Sequence, residues 1–108
     1  MTRELPRTLY VIAPTLHECV MTARDFGFIE GQMQHFRNVT SAIQLRGTSA
    51  GTPFIARPAH LWRRDEHSDA LATAMQVMQA QGRLRIAQER ELSAYRMFDD
   101  IPYREARQ

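Results

Sequence analysis

"TLYVIAPTLHECVMTARDFG", residues 8–27, decides the fold. "TLYVIA" is a short apolar run rich in strand-forming side chains and ended by Pro14, a length and composition that suit a buried strand. Thr15 with Glu18 three residues on is a capping-box signal for a helix start. Leu16, Cys19, Val20 and Ala23 fall at i, i+3, i+4 and i+7 and so form one apolar face, and Gly27 is placed to stop the helix. The stretch therefore reads as a strand feeding straight into an amphipathic helix.

Downstream the same alternation continues. After a turn at Glu30-Gly31, "MQHFRNV" is a weaker strand anchored by Phe36 and Val39. Thr40 and Ser41 can cap a short helix through Ile43 and Leu45, stopped by Gly47, and the small polar "GTSAGT" is a loop. Pro53 opens a third strand, "PFIA". Asp65, Glu66, Ser68 and Asp69 crowd the start of the next helix, where acids offset the dipole. That helix runs to about Gln81 with Leu71, Ala74, Met75 and Met78 inward and Gly82 beyond its end. "RLRIA" alternates arginine with apolar residues, as a half-exposed edge strand would; a helix through residues 83–87 is the alternative. "ERELSAYRMF" is a last helix with Leu92, Tyr95 and Phe98 on one side.

Strands alternating with helices at this spacing imply a parallel sheet covered on both faces. The expectation is one small three-layer, Rossmann-like α/β domain over residues 1–108, with a 3–4-stranded, mainly parallel sheet and loosely ordered tails at 1–7 and 100–108. With 44 % hydrophobic and 24 % charged residues the composition is that of a globular chain, not a disordered one. No apolar run approaches the ~20 residues of a membrane-spanning helix, and no signal peptide is evident, so the expected compartment is the cytoplasm.

Ligands of open α/β sheets bind outside the carboxyl ends of the strands. Those ends bring Thr15, His17, Thr40, Ser41, Arg57, His60, Trp62, Arg63 and Arg64 to one edge, with helix N-termini aimed at it. All 14 basic residues are arginine, whose guanidinium suits phosphate and carboxylate, although a GC-rich genome also favours arginine codons. A net charge of +2 confines any anion site to a local cluster. The edge reads as an anion or partner site, with Trp62 able to stack on a base. The competing reading has Arg63 and Arg64 paired with Asp65, Glu66 and Asp69, and Trp62 folded over the core.

Catalytic signatures are lacking. There is no GxxxxGK[ST] loop, no GxGxxG after the first strand and no GxSxG elbow. The histidines at 17, 35, 60 and 67 form no HxH or HxxxH pair, and the single Cys19 lies on the inward stripe. Neither Asp65 with Asp69 nor Asp99 with Asp100 sits in the apolar setting that acid–base catalysis requires. No catalytic residue, metal or cofactor is expected.

"LYVIA", "TARDFG", "AIQLRG" and "PAHLWRRDEHSDAL", in this order, resemble a group of short α/β accessory proteins of unknown function encoded by phages of GC-rich bacteria. The similarity is carried by Thr22 to Gly27, Leu45 to Gly47 and Trp62 to Asp65, and spans about residues 8 to 82. What the resemblance implies is a small phage accessory protein, without catalytic residues to carry over. The expected function is a non-enzymatic binding or regulatory module that engages a host or phage macromolecule, with a protein as its partner and homodimerisation through an edge strand or the C-terminal helix. Nucleic-acid binding by the same edge, and a small enzyme acting on a nucleotide or phosphorylated metabolite, are the rival readings.

Overall fold

The computed structural model describes residues 7–34 and 36–97. Strands β1 (Leu9–Ile12), β2 (Phe36–Val39), β3 (Thr52–Ile55) and β4 (Leu84–Ile86) form one sheet in the order β2-β1-β3-β4, and every pairing is parallel. Among the described residues four α-helices accompany it: α1 (Leu16–Asp25), the single turn α2 (Glu30–Met33), α3 (Glu66–Ala80) and α4 (Glu89–Met97). The chain runs outward from β1 to β2, returns past β1 to β3, and then continues outward to β4. The direction of winding therefore reverses between β1 and β3.

The burial of each strand follows from its place. Central β1 and β3 are buried along their whole length, whereas edge strands β2 and β4 each keep a single buried residue. Because successive side chains point to opposite faces, β1 feeds two cores. Leu9, Val11 and Ala13 meet Cys19 and Ala23 of α1 and Leu92 and Tyr95 of α4. Tyr10 and Ile12 meet Val39, Leu45, Trp62, and Leu71 and Met75 of α3. The result is three layers. Truncating Leu71, which is fully buried, to alanine would cost about 2–5 kcal/mol.

Proline within a central strand normally argues against that strand, since it cannot donate to the ladder. Here the bonds from Thr52 N to Arg83 O (2.8 Å) and from Ala87 N to Phe54 O (3.0 Å) join β3 to β4. The position of Pro53 therefore faces β1, whose pairing with β3 begins only at Phe54. The missing N–H falls where no ladder bond is needed.

Several expectations are refined. The third strand begins at Thr52, one residue before Pro53. Glu30-Gly31 opens a helical turn, with the Gln32 side chain bonded back to Ile29 N at 2.9 Å. Residues 84–86 are strand, but Ile86 is 69 % exposed beside Arg85, so the alternation does not bury it. In α1, Leu16 is 60 % exposed because the first turn projects past the end of the sheet, and Thr22 takes an inward place instead. Its hydroxyl can be buried because it donates to Glu18 O at 2.7 Å. Gly27 and Gly82 do end α1 and α3, at φ 87° and 74°, values that disfavour any other residue.

Of the tails expected to be loose, residues 1–6 and 98–108 lie outside the described residues, Phe98 among them. Arg7 is held: its guanidinium donates to Ala50 O at 2.9 Å and to Thr52 Oγ1 at 3.2 Å, and its carbonyl accepts from the Tyr95 hydroxyl.

Candidate functional site

The carboxyl ends of β1, β2 and β3 lie side by side, so the residues that follow each strand share one edge, as the chain pattern implies. What this edge offers differs from the expectation. The first turns beyond the strands are closed by their own side chains. Thr15 Oγ1 accepts from Glu18 N at 3.1 Å and donates to the Glu18 carboxylate at 3.1 Å, which is half of the expected capping box. Gln44 Oε1 accepts from Thr40 N at 2.7 Å and Ser41 N at 3.2 Å, over a 3-10 turn formed by Ala42–Leu45. Asp65 Oδ1 accepts from Ser68 N at 2.8 Å at the start of α3. That backbone bond, with the Ser68 hydroxyl beside it, holds the Asp65 carboxyl below the usual carboxylate range. One N–H at the start of α1, one at the start of α3 and two before the 3-10 turn are thus engaged, and an anionic ligand at α3 would meet a carboxylate.

The cationic elbow divides into three parts. Arg57 is tied to α1: its Nε and Nη2 lie 2.8 and 2.6 Å from Asp25 Oδ2. Trp62 is 6 % exposed and packs against the α3-side core, with its indole N–H buried and unpartnered. Its expected stacking on a base is thus corrected, because the ring has no open face. His60, Arg63 and Arg64 are exposed. Among the described residues Arg64 approaches only Asp69, at 3.9 Å with both side chains well exposed, and Arg63 has no ion pair. The competing reading thus holds in part: Arg64 has a loose, exposed pair in Asp69, and Arg63 forms none among the described residues.

Sequence reasoning missed the apolar part of this edge. Leu16, Ile43 and Leu61 are 60, 64 and 64 % exposed, and they follow β1, β2 and β3 respectively. Leu61 belongs to a 3-10 turn, Ala59–Leu61, set between Pro58 and the buried Trp62. Leu16 was assigned to the core by periodicity alone. The signal that could have exposed it was its position, one residue after the cap.

Two cavities adjoin the edge. At the reversal point a cleft of about 320 Å³ is walled by Pro14, Thr15, His17 and Glu18 on one side and Arg63, Asp65, His67 and Ser68 on the other. His67 Nε2 lies 3.2 Å from Pro14 O and ties the walls together. Farther along, an apolar groove of about 260 Å³ is lined by Phe26, Phe54, Met75 and Ile86, with Arg57 at its rim. Cys19 is fully buried beneath the edge, its thiol directed at Val11 O at 3.4 Å; burial pushes its pKa up to about 11, so it is no nucleophile. Among the described residues no group of three or more His, Cys, Asp or Glu is arranged to hold a metal ion.

Fold and edge together define a small parallel α/β domain with a mixed apolar and cationic strand-end surface. Comparisons of the chain with protein-family models, with curated proteins and with solved structures find no match. Among the described residues no helix is long and apolar enough to cross a membrane.

Proposed function

We propose that this protein is a non-enzymatic binding module that engages an acidic protein surface through its strand-end edge. The observation that supports this reading most is the exposure of Leu16, Ile43 and Leu61 beyond three adjacent strands, on the edge that also carries the exposed Arg63 and Arg64. Exposed apolar side chains clustered among polar ones mark contact surfaces, and arginine is enriched where such surfaces bind. The anchored turn at Trp62 presents Leu61 in a fixed position, which lowers the ordering cost of association. The mechanism is occupancy: the edge covers or recruits a surface of its partner. The resemblance to phage accessory proteins suggests a host or phage macromolecule in that role.

Nucleic-acid binding is less well supported, because Trp62 is buried and the Asp65 carboxylate stands at the start of α3. The test is cross-linking of the tagged protein in its cellular setting, followed by measurement of affinity for the partner recovered. Leu61→Ser and the pair Arg63→Glu, Arg64→Glu should each weaken that complex at least about tenfold without changing the thermal midpoint. Unchanged affinity in both variants would remove this edge from the interface. Tight, steeply salt-dependent binding to DNA or RNA instead would favour the rival reading.

A further inference from the structure

The opposite end of the sheet carries a polar cavity that the reading above does not use. It has a volume of about 270 Å³ and opens at the amino ends of β1 and β3, walled by Arg7, Thr8 and Tyr10 on one side and Gly47, Ser49 and Thr52 on the other. Its walls are rich in hydrogen-bond donors. Arg7 crosses to the loop before β3, where Nη1 donates to Ala50 O and Nη2 to Thr52 Oγ1. Those bonds use two of its five N–H groups, and among the described residues the other three meet no acceptor. Gly51 leaves room for the crossing, since a Cβ there would lie 3.2 Å from Arg7 Nη1.

Tyr10 adds a second, independent observation. It is 8 % exposed, and its hydroxyl oxygen accepts from Arg37 Nη1 at 3.2 Å, with that guanidinium 5.3 Å from the centre of the ring. The hydroxyl hydrogen is left to donate, yet among the described residues nothing accepts it. A phenol buried to this extent ordinarily spends its hydrogen, so the wall of the cavity lacks an acceptor. Across from it the exposed Ser49 also has its backbone N–H without an acceptor among the described residues.

Charge gives the acceptor its sign. No carboxylate lines the cavity. Glu91 reaches the same loop only through Arg85, whose two Nη atoms hold its carboxylate while Nε donates to Gly51 O at 3.0 Å. The carboxyl end of α3 adjoins the loop as well, with Gly51 N donating to Gly82 O, but the carbonyls of Val77, Met78 and Gln79 are taken by the N–H groups of Gln81, Arg83 and Gly82. Arg7 and Arg37 therefore leave the site positive. A carboxylate offers two oxygens in one plane. A terminal phosphate offers three acceptor oxygens to donors on opposite walls and suits guanidinium.

We propose that this cavity binds a terminal phosphate group, with the Arg7 guanidinium against its oxygens and the Tyr10 and Ser49 hydroxyls donating from the two walls. The phosphate belongs either to a small phosphate monoester or to a phosphorylated side chain of another protein; both present the same anion. The site lies at the far end of the strands from Leu61 and Arg63, so it does not rest on the strand-end edge as an interface.

The test is a titration of the isotope-labelled full chain with methyl phosphate, followed by amide chemical shifts, with sodium chloride, acetate and dimethyl phosphate as controls. Saturable shifts confined to Arg7–Tyr10 and Gly47–Thr52 are expected with methyl phosphate and not with the controls. Arg7→Met should weaken binding at least about tenfold. Tyr10→Phe keeps the ring in the core and removes only the hydroxyl, and it should weaken binding about tenfold with the fold retained. Arg63→Glu with Arg64→Glu, at the other end of the strands, should leave it unchanged. A blocked phosphoserine tripeptide binding more tightly than methyl phosphate identifies a protein phosphate as the source, and equal or weaker binding identifies a small monoester. Absence of localised shifts, equal response to acetate or chloride, tighter binding of dimethyl phosphate or of a single-stranded oligonucleotide, or full affinity in Tyr10→Phe overturns the proposal. Loss of partner binding at the strand-end edge with these phosphate shifts intact would count against the edge and not against this cavity.

Discussion

Asp25, the last residue of α1, holds both Nε and Nη2 of Arg57, the second residue after β3, through a single oxygen. The pair fastens α1 to the root of the elbow and takes one arginine out of the cationic cluster. Both side chains remain partly in water, which limits what the contact contributes. A double-mutant cycle with Asp25→Ala and Arg57→Ala should give a coupling of about 0.5 kcal/mol and no more than about 1 kcal/mol, read from urea midpoints. A coupling of several kcal/mol would mean that the pair organises the elbow.

Trp62 makes the packing of that elbow visible. A ring buried among Leu45, Leu71 and Ile12 should emit at blue-shifted wavelengths and resist quenching by iodide. Addition of nucleotides or single-stranded nucleic acid should leave the emission unchanged. Red-shifted, readily quenched emission would return the ring to the surface and restore stacking as a role.

Cys19 should make stability fall in alkali. Its thiol titrates near 11 in the folded chain against an ordinary value of 9.0, so the native state holds the proton more tightly than the unfolded state does. Stability from this group is complete below about pH 9 and is lost progressively between pH 9 and 11, on the order of 2 kcal/mol in all. Urea melts of the native chain and of Cys19→Ala across that range should converge as the pH rises. Parallel curves would exclude the thiol as the cause.

The two long-helix caps differ in how they tolerate substitution. Thr15→Ala removes the acceptor for Glu18 N and should cost about 1 kcal/mol. Asp65→Asn keeps a capping oxygen for Ser68 N but loses the charge, so at neutral pH it should lower the melting temperature less than Asp65→Ala does. Because the folded-state pKa of Asp65 is depressed, its contribution is present above the usual carboxylate range and declines as the pH falls through the depressed value. Acid melts of the native chain and Asp65→Asn test that sign, and the difference between them should vanish at the lowest pH.

Much of the architecture was written locally. The apolar run before Pro14, the cap at Thr15 and the stop glycines at 27, 47 and 82 specify strands and helices through interactions a few residues long. Alternation of those elements then leaves a parallel sheet as the way to bury them. The closing of the strand ends by Gln44 and by Asp65 was not read from the sequence, which left those helix starts free to face a ligand. Periodicity failed where the helix overran the sheet, since a pattern gives the face of a helix and not the length that is covered. Leu16 is the case in point.

What the sequence by itself determined was the kind of elements, their order and the edge on which the Arg–Trp turn would fall. Only the tertiary structure decided what that edge is made of. Arg57 meets an acid 32 residues earlier, Trp62 turns inward, and Leu16, Ile43 and Leu61 are left outside. The physical reason is range: caps and turns are settled by neighbours along the chain, whereas ion pairing and burial depend on which segments the sheet order brings together. The cleft at the reversal point exists only because β1 and β3, whose register pairs Val11 with Ile55 across 44 positions of sequence, become neighbours.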